Sequence, residues 1–403
     1  MTETFTPRDA QQLRDVIAWA AADAVPLELL AGGSRRDIGH AVEARHAVDL
    51  SALAGIVSYE PEELVLVARP GTTMAEIDAA LAARQQMLAF EPPDLGPLFG
   101  RPPGGGTLGG AIATGFAGPR RIKAGAARDH LLGFAAISGR GEAFKAGSKV
   151  VKNVTGYDLP KIFCGAFGTL GAMTEVTLKA LPAPPKSRSV LIFGLDMAAA
   201  TRAMAEALNS PFEVSGAALL PAAAAARSSV DLVRQSGASV TALRIEGTPA
   251  SVAARCAGLR ALLAGRGPDA ELHTMRTRRL WSELRDVASL LPDPDKALWR
   301  LSIPPAAAPC VSAALDGERL FDWGGGLIWL AVPATGDADA ARVRAAVAGA
   351  GGHATLLRAP AALRRAVPVF QPQPPPLARL SARVKAGFDP AHVLNRGRML
   401  PGI

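Results

Sequence analysis

The sequence predicts a two-domain α+β protein, and three observations carry that expectation. At 403 residues the chain is too long for one ordinary hydrophobic core. Apolar runs with strand-like alternation recur between segments of helical apolar period. A proline-dense connector, Pro182-Ala183-Pro184-Pro185, separates a glycine-rich first part from a second part built of repeated strand–helix–strand units.

The elements follow in order. Thr6-Pro7-Arg8-Asp9 reads as a helix start with proline at the first helical position, and Leu13, Val16, Ile17 and Ala20 form the apolar face. Residues 26–30 read as a buried strand entering Gly32-Gly33-Ser34-Arg35. Strands are expected at 47–50 and 64–68 and a helix over 74–84. Another strand is expected at 172–178. Beyond the connector, strands at 189–193, 212–220, 240–245 and 272–275 alternate with helices at 198–208 and 251–263. A further cycle runs through strands 298–303, 326–332 and 354–357 and a helix at 337–349. This pattern suits helices on one face of an antiparallel sheet. The expected domains are 1–182 and 183–383, with 384–403 returning to the first.

Composition excludes several classes. Apolar residues make up 49% and charged residues 20%, a soluble globular profile with no membrane-length apolar run and no signal-like start, which reads as cytoplasmic. Cys164, Cys256 and Cys310 are scattered, so no disulfide framework, zinc site or iron–sulfur site is expected of this chain. The net charge of +8 comes from dispersed arginines, and aromatics are only 5%, which disfavours nucleic-acid binding. The runs Arg120-Arg121-Ile122-Lys123 and Arg276-Thr277-Arg278-Arg279 read as solvated faces or contacts with an acidic protein.

Glycine is where the chemistry concentrates. One cluster runs from residue 149 to 179, with Lys152-Asn153-Val154-Thr155-Gly156-Tyr157-Asp158-Leu159, Gly165 and Gly168-Thr169-Leu170-Gly171. Another is Gly104-Gly105-Gly106-Thr107-Leu108-Gly109-Gly110. By residue type alone such clusters serve either as tight turns or as a cradle that lets backbone approach a cofactor. Gly104, Gly106 and Gly109 satisfy Gly-x-Gly-x-x-Gly, but Arg101-Pro102-Pro103 stands where a dinucleotide fold needs its strand. Several glycine loops, each offering N–H groups to a pyrophosphate without a helix, are the other route.

In order, Leu30-Ala31-Gly32-Gly33-Ser34-Arg35, Pro92-Pro93-Asp94, Thr107-Leu108-Gly109-Gly110, Arg128-Asp129-His130-Leu131-Leu132-Gly133 and the 152–171 cluster resemble the vanillyl-alcohol oxidase or PCMH-type FAD-binding family. Phe388-Asp389-Pro390 and Asn395-Arg396-Gly397-Arg398 resemble its closing motif. Within it, Ala113-Thr114-Gly115-Phe116-Ala117-Gly118-Pro119-Arg120-Arg121, Leu298-Trp299-Arg300-Leu301-Ser302 and Asp322-Trp323-Gly324-Gly325-Gly326 resemble the smaller FAD-binding subunits of bacterial glycolate oxidase. The resemblance implies an FAD domain of two subdomains plus an α+β cap with an antiparallel sheet. It implies that Gly32, Gly33, Ser34 and Arg35 hold the pyrophosphate and that Thr107, Leu108, Gly109, Gly110, Thr114 and Gly115 meet ribityl and phosphate. Gly168, Thr169, Leu170 and Gly171 would take the ADP side. Asp94, Arg128, Tyr157, Asp158, Asn395 and Arg398 complete the implied set.

Three departures shape the functional expectation. Related catalytic subunits carry His-x-Gly-Asp-Gly-Asn-x-His, where this chain has Asp322-Trp323-Gly324-Gly325-Gly326-Leu327-Ile328-Trp329. A 2-hydroxy acid needs a base for its hydroxyl and a cation for its carboxylate; Arg300 or Arg285 could be the cation, but none of His40, His46, His130, His273, His353 and His392 is paired at ligand spacing, and no metal is expected. Ser34 and its neighbours offer no histidine or cysteine, so FAD is expected to be non-covalent; Arg396 replaces the family's proline. The resemblance thus implies an FAD-binding subunit of a complex that oxidises glycolate to glyoxylate, with a larger FAD-containing catalytic subunit and an iron–sulfur subunit as partners. It also allows a peripheral position at the inner face of the cytoplasmic membrane. The alternatives are a self-sufficient FAD oxidase or dehydrogenase of another 2-hydroxy acid or alcohol, and a non-catalytic scaffold.

Overall fold

A computed structural model describes residues 3–148, 157–291, 293 and 295–402. The chain forms two compact units: residues 1–117, 125–183 and 372–403 in the first, 118–124 and 184–371 in the second. The division after Ala183 falls in the expected connector. The return to the first unit begins at residue 372, ahead of the expected 384, and the basic run 118–124 belongs with the second unit.

The described residues of the first unit form three sheets. Strands β1 (Glu3–Phe5), β2 (Leu27–Leu30) and β3 (His46–Asp49) make a parallel sheet in the order β1-β3-β2. Strands β4 (Ile56–Glu60), β5 (Val65–Ala68), β7 (Leu131–Ser138), β8 (Ala143–Gly147) and β9 (Gly171–Lys179) form an antiparallel sheet ordered β4-β5-β9-β7-β8, while β6 (Gln86–Met87) pairs with β10 (Leu181–Pro182). Helix Ala10–Ala22 buries Leu13, Ile17 and Ala20, a spacing that one helical face supplies. Its cap is Asp9, whose carboxylate accepts from Gln12 N at 2.8 Å, so Pro7 precedes the helix rather than opening it. Val65, Leu66, Val67 and Ala68 are all buried, as in a central strand covered on both faces.

The second unit is built on eight strands: β11 (Lys186–Phe193), β12 (Gly216–Leu220), β13 (Val240–Gly247), β14 (Asp269–Leu272), β15 (Lys296–Ser302), β16 (Glu318–Asp322), β17 (Leu327–Pro333) and β18 (His353–Arg358). Their order is β14-β11-β13-β12-β16-β17-β15-β18, and every pairing is antiparallel. Helices Met197–Leu208, Pro249–Leu262 and Ala340–Gly349 press Ala203, Met204, Val252, Leu259, Val343 and Val347 onto the face carrying Val190, Leu243, Trp299 and Leu330.

Helices were expected on one face only, and the structure differs. Residues 272–275, read as a strand, leave the sheet after Leu272, and helix Thr274–Arg285 follows. Thr277 donates to Leu272 O at 2.9 Å, and the indole of Trp281 donates to Ser189 Oγ at 2.9 Å. Ser189 alternates with Val190 along β11, so this helix covers the opposite face. Its polar run Arg276-Thr277-Arg278-Arg279 hid a buried stripe of Thr277, Leu280, Trp281 and Leu284.

Candidate functional site

In the first unit a cleft of about 720 Å³, measured out to its mouth, opens where four separate segments converge. They are the end of β2 with Gly33-Ser34-Arg35, the helix Leu108–Thr114, the turn at Phe167 and Gly168 entering β9, and the chain end at Asn395 and Arg398. Each is shaped by a local rule. Gly32 and Gly33 lie at φ +61° and +69°, left-handed backbone that suits glycine; a Cβ on Gly32 would come 2.8 Å from Gly105 O. Gly168 has φ +70°, and its Cβ would stand 2.9 Å from Asn395 Nδ2.

Helix Leu108–Thr114 occupies a position where sequence suggested only a loop. Thr107 caps it by accepting from Gly110 N at 3.3 Å, and Gly115 ends it at φ +65°. Gly109 is forced by packing, since a Cβ would meet Pro70 Cβ at 2.7 Å. Its N–H already donates to Pro70 O at 2.7 Å, and Leu108 N–H to Thr72 O at 2.9 Å. What the helix turns toward the cleft is therefore glycine surface at Gly109 and Gly110.

The charged groups in the wall are arginines. Arg35, 8% exposed, donates to Thr114 Oγ1 at 2.5 Å and to Pro93 O at 2.6 Å. Arg398, 5% exposed, donates to the carbonyls of Arg36 and Ile38 at 2.5 and 2.9 Å and to Glu28 at 3.1 Å. Asn395 is a clamp: its amide oxygen accepts from Leu29 N at 2.8 Å and its amide nitrogen donates to Phe167 O at 2.7 Å. Behind it, Lys385 donates to Thr169 O at 2.8 Å and Leu394 O at 2.9 Å and pairs with fully buried Asp389. Burial lowers the Lys385 pKa and Asp389 works against that shift.

Of the residues expected at the site, Gly33, Ser34, Arg35, Gly109, Gly110, Thr114, Gly168, Gly171, Asn395 and Arg398 line this cleft. Gly32, Thr107, Leu108 and Gly115 shape the elements behind it. Asp94 accepts from Gly96 N and Gly104 N at 3.2 and 2.7 Å and thereby folds the loop ahead of Thr107. Thr169 and Leu170 are buried under the turn.

Three placements correct the expectation. Arg128 is exposed. Tyr157 is 88% exposed, so it makes no buried bond with Asp158, and Asp158 instead pairs with Lys161 at 3.2 Å. The adjoining expected residues Lys152, Asn153, Val154, Thr155 and Gly156 lie outside the described residues. Sequence reasoning missed Phe167, Met173 and Pro70, which line the cleft, and Lys385 behind it. A positive φ of 54° at non-glycine Phe167 gives no sequence signal at all.

The cleft fits a dinucleotide. Among the described residues its lining contains glycine backbone, apolar side chains and three arginines, with no aspartate or glutamate. Cations and glycine surface suit phosphate.

A family model described as an FAD binding domain matches residues 3–147. Glycolate oxidase subunit GlcE of Escherichia coli (strain K12) is 34% identical over 390 residues, covering 97% of both chains. The chain belongs to the GlcE family of FAD-dependent oxidoreductases. More distant relatives include a D-lactate dehydrogenase of Anaerostipes hadrus, 35% identical over 36% of this chain and 29% of that protein. Glycolate oxidase subunit GlcD of Bacillus subtilis (strain 168) is 26% identical over 49% of this chain and 41% of its own. Among solved structures, p-cresol methylhydroxylase with substrate bound matches with TM-score 0.73 at 15% identity, covering 99% of this chain and 88% of that one. The likeness establishes the PCMH-type fold.

The second unit carries the run Asp322–Trp329, which was compared above with the histidine motif. Asp322 accepts from Trp323 N at 2.7 Å, and the Trp323 indole donates to Gly118 O at 3.1 Å. Arg121 and Arg300 both stand over the Trp323 ring, at 4.2 and 5.1 Å. Burial first, then the like charge of Arg121, pushes Arg300 down to about 10. Arg285, the other candidate cation, pairs with its neighbour Asp286 at 2.7 Å. The run 120–123 is no free basic patch: Arg120 makes a bidentate pair with Glu246 at 2.7 and 2.8 Å. Burial raises the Glu246 pKa, but Arg244, Arg120 and Ser215 more than offset it and hold the carboxyl at about 2. Among the described residues no group of three or more His, Cys, Asp or Glu could hold a metal, and no helix is long and apolar enough to cross a membrane.

Proposed function

We propose that this chain is the FAD-binding subunit of a glycolate oxidase complex, holding FAD non-covalently while a larger flavoprotein subunit oxidises glycolate to glyoxylate. One observation carries the reading: an intact glycine-and-arginine cleft coexists with a degraded catalytic run. Gly33, Gly109, Gly110 and Gly168 would let the cofactor lie against backbone, and Arg35 and Arg398 would face its phosphates. Bound there, FAD supplies a two-electron acceptor. Among the described residues no histidine, cysteine, tyrosine or aspartate lines the cleft, which supports a flavin held without a covalent tether. Cys164, near Gly115, is held protonated: burial pushes its thiol up to about 12.

Where a hydroxyl-proton acceptor would be needed, Asp322 and Trp329 stand in place of histidines; the Asp322 carboxylate already accepts from Trp323 N at 2.7 Å, and Arg121 and Arg300 supply only positive charge. The partners proposed are that larger FAD-containing subunit and an iron–sulfur subunit, in the cytoplasm or at the inner face of its membrane through the complex. Purification of the complex tests this, with flavin and iron counted per subunit. The expected result is acid-releasable flavin on this chain and glycolate turnover only by the assembly. Full turnover by the chain alone overturns the division of labour in favour of a self-sufficient oxidase, and flavin-free protein overturns the cofactor assignment.

A further inference from the structure

Helix Pro375–Phe388, in the first unit, is fourteen residues long, yet Lys385 is its sole buried residue. Its apolar positions nevertheless form a single stripe. At 100° per residue, Leu377, Leu380, Val384 and Phe388 fall within an arc of about 80°. The C-terminal half of that stripe is used: Val384 and Phe388 pack against the core beneath the antiparallel sheet, with the Phe388 ring 5.2 Å from Phe163 and 5.8 Å from Phe144. The N-terminal half is not, because Leu377 and Leu380 are 47% and 53% exposed. Scattered exposed leucines are ordinary; two in line with a buried stripe on one helix are the form of a helix-in-groove contact.

The charge beside the stripe names the occupant. Arg379 and Arg383, one turn apart and both exposed, lie along one side of it, on the edge marked by Leu380, and residues 371–388 contain no aspartate or glutamate. We propose that the first two turns of this helix dock into an apolar, acid-rimmed groove on a sister protein subunit. The inference rests on the assembly reading above and assigns it a surface. Leucines would provide the buried anchor, and the arginines would steer and orient the encounter.

The test co-expresses the tagged full-length chain with the larger flavoprotein and iron–sulfur subunits. The L377E/L380E double variant should lower recovery of the partners about tenfold or more, while flavin content and melting temperature of the chain stay at wild-type values. R379E/R383E should weaken assembly at low salt, with the difference shrinking above roughly 0.5 M salt. L377E/L380E that assembles like wild type overturns the docking surface and leaves the assembly reading standing. Wild-type chain that recovers neither partner overturns both. Two other occupants are read in parallel: loss of wild-type binding to phosphatidylglycerol vesicles in the leucine variant, with unchanged assembly, replaces the proposal with a lipid surface. A concentration-dependent dimer abolished by the same variant replaces it with a second copy of this chain.

Discussion

Asp389→Asn removes one charge from the centre of the first unit and tests how the chain end is held. The carboxylate is fully buried and accepts from Val393 N at 3.0 Å, from Leu394 N at 2.8 Å and from the Lys385 ammonium. An asparagine keeps the shape, but the two amides bond different carboxylate oxygens, so its single carbonyl oxygen can accept on one side only. It leaves Lys385 charged, buried and facing only the carbonyls of Thr169 and Leu394. Breaking a buried pair in this way costs about 3–5 kcal/mol, a large share of the roughly 5–15 kcal/mol that stabilises a typical domain. With m near 2–3 kcal/mol per M, the urea midpoint should fall by roughly 1–2 M. The readout is urea denaturation followed by hydrogen exchange in the peptide spanning residues 385–398, because two units need not unfold together. K385M/D389N leaves no unpaired ion, so it should lose less than D389N alone, with a coupling of about 2 kcal/mol or more. Strictly additive losses, or a D389N midpoint equal to wild type, would refute the pair as the lock on the chain end.

Glu246→Gln should destabilise the second unit by about 3 kcal/mol at neutral pH, from a carboxyl moved from 4.5 to about 2. A lowered carboxyl pKa stabilises fully above 4.5 and loses that contribution as pH falls through about 2, so the gap between wild type and variant in urea titrations should close across that window. Gly168→Ala meets φ +70° and Asn395 Nδ2 at 2.9 Å; a loss of about 1–2 kcal/mol in thermal melts and reduced flavin content are expected. Arg35→Met removes the bonds to Thr114 and Pro93 O and should weaken flavin retention about tenfold or more on dialysis, with little change if Arg35 serves packing alone.

How much of this was legible depended on how local the signal was. The strand expected at 172–178 is written in adjacent residues and is found at Gly171–Lys179, whereas the helix Leu108–Thr114 behind Thr107 was hidden by its glycines and read as a loop. The helix Thr274–Arg285 was missed because its buried face is carried by Thr277 and Trp281 amid arginines. Phe167 and Lys385 were invisible for a different reason. Their roles come from partners far along the chain, 228 residues away for Phe167 with Asn395 and 216 for Lys385 with Thr169. Tyr157 shows the converse error, in which an aromatic beside glycines suggested a ligand contact and stands in solvent instead.

Asn395 joins β2 to the turn at Phe167 through one side chain, its amide oxygen taking Leu29 N and its amide nitrogen giving to Phe167 O. Two walls of the cleft are thus tied through a single amide, so their motions are coupled rather than independent. A substitution that loosens the turn at Phe167 loosens the end of β2 with it, and the width of the cleft is set by both walls together.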